Sequence, residues 1–248
     1  MISGIKIKTK PSNLTVFFLL VVSVFLIYLA NLYTDYSKDL KNGLYRRMLT
    51  SDDLVPNTFL PYILITENTL KFNSIFKTIE KFDDAAHKET PYYIISTEKG
   101  YISAYPILTG LLATPIYFLP LVFNKIPELT YHENILKVML LGRVAASFYT
   151  ALSVGIFYLI CEKVSKEKKL ALLFTIFYAF GTGTYSISSR GLWMHTISQF
   201  LFSLILLLLI SQNKIKYKYV ILGFLLGLSV INRPTGIIVA IVLSLYVF

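Results

Sequence analysis

Six apolar runs divide this chain, at residues 14–32, 105–123, 135–161, 170–187, 196–211 and 219–248. Several approach the roughly 20 apolar residues that carry a helix across a bilayer, so the pattern predicts membrane helices. The last run is 30 residues long and carries Asn232-Arg233-Pro234 near its middle. A lone Arg at mid-bilayer costs a few kcal/mol, so this run is expected to break at Asn232–Thr235 into two short spans.

The polar links set the expected direction. Lys163 to Lys169 holds four lysines and Lys214 to Lys218 holds three. Short basic loops between spans belong on the cytoplasmic side. Lys6, Lys8 and Lys10 precede the first run in the same way. That run is longer than a signal-peptide core, and no small-x-small cleavage site follows it, so it reads as an uncleaved anchor. If 105–123 crossed the membrane, 135–161 would carry Lys163–Lys169 outside. Its prolines, Pro106, Pro115 and Pro120, also remove helix hydrogen bonds that lipid does not replace. The segment is therefore expected along the outer interface, or packed on the helices as a re-entrant element.

The expected layout is a cytoplasmic segment 1–13, a first span 14–32, and an outer loop domain 33–134 that includes the interfacial segment 105–123. Spans 135–161, 170–187, 196–211 and 219–231 follow, and an incomplete span 235–248 ends the chain. The predicted class is an all-α membrane protein of about six transmembrane helices, with a large outer loop bearing interfacial helices. Phe248 lies inside an apolar run, the pattern of a fragment or of a truncated product. Within the loop, Asp35–Leu49 is predicted helical, and a strand is expected at Tyr62–Ile65 in the loosely alternating stretch 57–73. Pro91–Ser96 and Tyr101–Ser103 are expected to pair as a hairpin around the turn Glu98-Lys-Gly100.

Composition narrows the class further. Hydrophobic residues make up 55% of the 248 residues and charged residues 15%, against roughly 25% charged in soluble domains. The net charge is +10, but residues 33–104 hold nine basic and ten acidic side chains. Much of the excess sits in short loops, unlike the basic surface of a nucleic-acid binder, so no nucleic-acid partner is expected. Cys161 is the sole cysteine, which excludes an intramolecular disulfide and a cysteine-cluster metal site. No phosphate-binding glycine loop, dinucleotide fingerprint, nucleophile elbow or HExxH motif occurs. No Asp-x-Asp triplet with metal-ligand character occurs, and His87 and His132 lack partners at ligand spacing, so no metal ligand is assigned.

The layout gathers polar residues on one membrane face. Asp35, Asp39, Asp52 and Asp53 follow the first span, and Lys137 and Arg143 open the second. Arg190, Trp193 and His195 lie between the third and fourth, and Arg233 sits in the last turn. Carboxylates facing cations there suit a general base beside a bound lipid phosphate. Taken singly, each cation also fits snorkelling to headgroups, and Trp193 fits an interfacial anchor.

The order of short motifs carries a resemblance. Ser51-Asp-Asp-Leu-Val-Pro-Asn-Thr-Phe-Leu-Pro61 precedes Tyr105-Pro-Ile-Leu-Thr-Gly110 and Gly142-Arg-Val-Ala-Ala-Ser147. Then come Gly181-Thr-Gly-Thr-Tyr185, Leu192-Trp-Met-His195 and Asn232-Arg-Pro-Thr-Gly236. Along most of its length the chain resembles bacterial membrane glycosyltransferases of the GT-C class, relatives of the protein mannosyltransferases and the lipid A aminoarabinose transferase. The resemblance implies an inverting transfer at the outer face of the cytoplasmic membrane. The sugar donor would be a polyprenyl-phosphate sugar, and the acceptor a glycan, lipid or protein. It implies an Asp of the first outer loop as base, Asp35 by position, with Asp52 and Asp53 in reserve. Arg143, Arg190, His195 and Arg233 become candidates for the donor phosphate. A divalent metal stays open as a cofactor. Two other readings are a non-catalytic membrane subunit of surface-glycan assembly and a transporter. The latter ranks lower because the polar groups cluster at span ends instead of at the midplane.

Overall fold

A computed structural model describes residues 12–42, 51–76, 91–124, 132–211 and 216–247; within these, the side chains of 31–42, Asp52, His132, Glu133 and Val247 lie outside the description. The described chain is helical apart from one hairpin. Helix α1 spans Asn13–Asn42, followed by a 3-10 turn at Asp52–Leu54 and α2 at Val55–Glu67. Strands β1 (Ile94–Thr97) and β2 (Gly100–Ser103) lead to α3 at Leu108–Asn124. The rest is α4 (His132–Ser165), α5 (Lys168–Phe180), a π turn (Thr184–Ser188), α6 (Met194–Ile210), α7 (Lys218–Asn232) and α8 (Gly236–Val247).

Two helical stretches are long and apolar enough to cross a membrane. Asn13–Ala30 has a mean hydropathy of 2.5 and Asn134–Ser165 one of 1.8. The other apolar helices are shorter. Helix α1 is 30 residues long, about 45 Å at 1.5 Å per residue, so it outruns its apolar run 14–32. Asp35 therefore continues the first helix through Asn42, while 43–49 lie outside the described residues. The expected break in the last run is present, since α7 ends at Asn232 and α8 starts at Gly236. Arg233 is extended there, with φ −150°.

Helix ends are closed by local chemistry. Ser12 Oγ accepts the Thr15 amide at 3.1 Å and so caps the start of α1. At the junction of α6 and α7, Lys218 Nζ donates to the carbonyls of Leu209 and Ser211, satisfying acceptors that the end of α6 leaves over.

Consecutive helices from α4 to α7 run in opposite senses, and α1 runs parallel to α5. Tyr28 near the apolar end of α1 donates to the Ala179 carbonyl at the end of α5, at 2.8 Å. Ser147 in the first half of α4 reaches the Ser189 carbonyl. Asn232 at the end of α7 meets Met194 at the start of α6. These ends form one end of the bundle.

The expected strand at Tyr62–Ile65 is overturned: these residues belong to α2. Val55 through Ile63 are all buried, so the loose alternation carried no information about an exposed face. Pro56 fits the first helical turn, where no N–H is needed. Pro61 lies inside the helix and cannot donate to the Asn57 carbonyl. Gly110 of α3 packs there: a Cβ on it would lie 3.3 Å from that carbonyl oxygen and 2.7 Å from Leu60. The hairpin forms as expected, antiparallel, with Ile94 opposite Ser103 and Thr97 opposite Gly100. Gly100 has φ +120°, a backbone region that favours glycine.

Helix α3 starts beside Tyr149 of α4, whose hydroxyl donates to the Leu112 carbonyl. Its middle lies at Tyr117, which donates to the Thr58 carbonyl at 2.9 Å. It is helical despite Pro115 and Pro120, packed between α2 and α4 around the buried Tyr117.

Candidate functional site

The shared end of the bundle is held by one buried amide. Asn232 is 0% exposed. Its Oδ1 accepts from Thr109 Oγ1 at 2.7 Å, and its Nδ2 donates to the Met194 carbonyl at 2.8 Å and to Ser198 Oγ at 3.0 Å. One side chain thus fixes α3, α6 and α7, and thereby places the residues beside it, Arg233 and His195.

Arg233 Nη1 lies 2.8 Å from His195 Nδ1. A guanidinium only donates, so His195 Nδ1 accepts and the imidazole is neutral with its proton on Nε2. Burial, and then the Arg233 charge, push the His195 pKa below its ordinary value. His195 stacks on Trp193, with ring centroids 5.9 Å apart and planes at 27°.

The turn before α6 folds back on itself. The Trp193 amide donates to the Gly191 carbonyl at 2.9 Å, and the guanidinium carbon of Arg190 stands 5.4 Å from the Tyr185 ring centre, within cation–π range. Arg190 Nε and Trp193 Nε1 are buried and have no acceptor among the described residues. Arg143 is 6% exposed. It sits one helical turn before Ser147, which bonds Ser189, so it lies on the α4 face toward this turn. Lys137, two turns earlier than Ala145, is exposed.

The carboxylate-bearing turn Asp52–Leu54 packs against the same place. A Cβ on Gly191 would lie 2.6 Å from Leu54 Cδ1 and 3.2 Å from Trp193 Nε1, so glycine is what lets the two turns meet. Asp53 Oδ1 accepts the Tyr92 hydroxyl at 2.6 Å and the Tyr105 hydroxyl at 2.9 Å. Burial, and then the bond to Asp53 and its charge, raise the Tyr105 pKa and keep that phenol a donor. The hairpin is thereby tied to the turn. The side chains of Asp35 and Asp52 lie outside the described residues, although both backbones are placed, Asp35 in α1 and Asp52 in the 3-10 turn.

Among the described residues, no group of three or more His, Cys, Asp or Glu could hold a metal ion. Sequence reasoning missed the phenol pair on Asp53 and the hub role of Asn232. For Asn232 a signal existed: an amide beside Arg-Pro at the end of an apolar run is an unusual element to bury.

No protein-family model, no curated protein and no solved structure matches the chain.

Proposed function

We propose that the protein is a multi-pass membrane glycosyltransferase that moves a sugar from a polyprenyl-phosphate donor to an acceptor at the outer face of the cytoplasmic membrane. The observation that carries this reading is the gathering of Arg143, Arg190, His195 and Arg233 at one end of the helix bundle, with the Asp52–Leu54 turn packed against them through Leu54 and Gly191. The antiparallel alternation supports six spans, with the basic links Lys163–Lys169 and Lys214–Lys218 toward the cytoplasm.

In the proposed reaction, an acceptor hydroxyl attacks the anomeric carbon of the sugar. The new glycosidic bond forms as the bond from that carbon to the phosphate oxygen breaks. The acceptor's proton passes to an aspartate, and the polyprenyl phosphate leaves with the bonding electrons. Arginines that bind the phosphate more tightly as its charge grows lower the barrier. One oxygen of Asp53 already accepts two phenols, which suits it to anchoring the hairpin. The base role then falls to Asp35 or Asp52.

Transfer of radiolabelled sugar from polyprenyl-phosphate donors in membranes tests this. Asp35→Asn, Asp52→Asn and Arg233→Ala are compared with the parent at equal protein level. The reading expects loss of transfer in Arg233→Ala and in one of the two aspartate variants. Transfer that survives all three would remove it.

A further inference from the structure

We propose that Trp193 is a ligand-contacting residue whose indole N–H, together with the Nε–H of Arg190, seats an oxyanion carried on an apolar chain. The inference rests on the transferase reading for the identity of that ligand, a polyprenyl phosphate. A headgroup anchor keeps its indole N–H in the wet interface. Trp193 Nε1 is instead covered by the protein, with no acceptor among the described residues. Arg190 Nε, three residues away on the same turn, is in the same condition. Both groups only donate, and a buried donor without an acceptor is unfavourable until something supplies one. Two such donors on one turn point to a ligand rich in acceptor oxygens.

The surroundings favour an anion. The Arg190 charge is held over Tyr185. The indole stacks on His195, which is tied to Arg233, and no side chain caps the start of α6. They also favour an apolar tail, because Ile231 and Ile237, either side of the Arg233 turn, are 61% and 50% exposed. Gly191 sets the close approach of Leu54 beside the indole nitrogen, since a Cβ there would press on both.

Trp193 is the single tryptophan of the chain, so its fluorescence reports the seat directly. The full chain in phosphatidylcholine nanodiscs would be titrated with a polyprenyl phosphate, the matching polyprenol, phosphatidic acid and inorganic phosphate. A saturable emission change with the polyprenyl phosphate and none with the polyprenol is expected. Native mass spectrometry would then measure polyprenyl-phosphate affinity in Trp193→Phe and Arg190→Gln, each checked for unchanged thermal stability. A loss of about ten-fold in each is expected from one missing bond to a charged group. Undiminished affinity in both variants overturns the seat and leaves the transferase reading standing. An equal response to phosphatidic acid supports the seat but makes it a general headgroup site, which counts against the donor-lipid reading. A response to inorganic phosphate alone, or to no arm, overturns the proposal.

Discussion

Arg233 donates to Nδ1 of His195 across 2.8 Å, joining the turn between α7 and α8 to the start of α6. Because the imidazole must be neutral to accept, the bond is sensitive to acid. The His195 pKa is lowered in the folded protein. Such a group contributes stability that is present above its unfolded value, about 6.5, and lost as pH falls through the folded value. Thermal stability should therefore fall on acidification below about pH 6.5, and His195→Gln should flatten that limb. A parent and a variant with the same pH dependence would show that His195 does not carry it.

Asn232→Ala should weaken the fold at the bundle end. It leaves Thr109 without its acceptor, and Met194 and Ser198 without a donor. Each buried group left unpaired costs about 1–3 kcal/mol. Denaturation in detergent should show a clear drop in midpoint, whereas Ser198→Ala, which removes only one of the three bonds, should lose less.

Gly142 and Gly223 make a matched pair. A Cβ at Gly142 would lie 2.8 Å from Thr58 Cγ2 and 3.0 Å from Tyr117 Oη, whereas one at Gly223 meets nothing within 4 Å. Gly142→Ala should destabilise by about 1–3 kcal/mol through overpacking. Gly223→Ala should be neutral or mildly stabilising, by up to about 1 kcal/mol, through helix propensity. Comparing melting midpoints of the two variants decides it.

The tie between hairpin and turn is testable by hydrogen exchange. Asp53→Ala removes the acceptor of both Tyr92 and Tyr105. Amides of Tyr92–Tyr105 should exchange several-fold faster, with Tyr105→Phe giving a smaller effect of the same kind. An unchanged exchange pattern would mean that the other contacts of the hairpin, among them the bonds of Tyr101 to Asn73 and Phe72, suffice to hold it.

Orientation has its own test. With Cys161 replaced by Ser, single cysteines at Lys166 and at Thr235 would be challenged with a membrane-impermeant thiol reagent on intact cells. Labelling at 235 and protection at 166 are expected. The opposite pattern would invert the topology and move the site to the cytoplasmic face.

What the sequence disclosed, and what it hid, follows from the range of the forces involved. The two helices of span length and the break at Arg233 were legible because a long apolar run, and a charge set inside one, leave one-dimensional marks, whereas the remaining four expected spans fall on helices shorter than a full crossing. The hairpin was legible because Gly100 and alternating Tyr and Ile are local signals. The helix at Tyr62–Ile65 was not, since a helix buried on every side has no polar face to set its period. Nor was the pairing of Asp53 with Tyr92 and Tyr105, residues 39 and 52 positions away. Trp193 in sequence reads as a membrane anchor, and only its covered nitrogen separates it from one.

The bond between Thr109 and Asn232 joins residues 123 positions apart, and this orders events during synthesis. Thr109 leaves the ribosome long before α7 exists. Until Asn232 has emerged and its helix has packed, α3 and α6 lack their shared partner, so Arg233 and His195 cannot be brought together. A nascent chain halted before residue 232 should therefore already hold its earlier helices and hairpin, yet expose a Thr109 that waits for its acceptor.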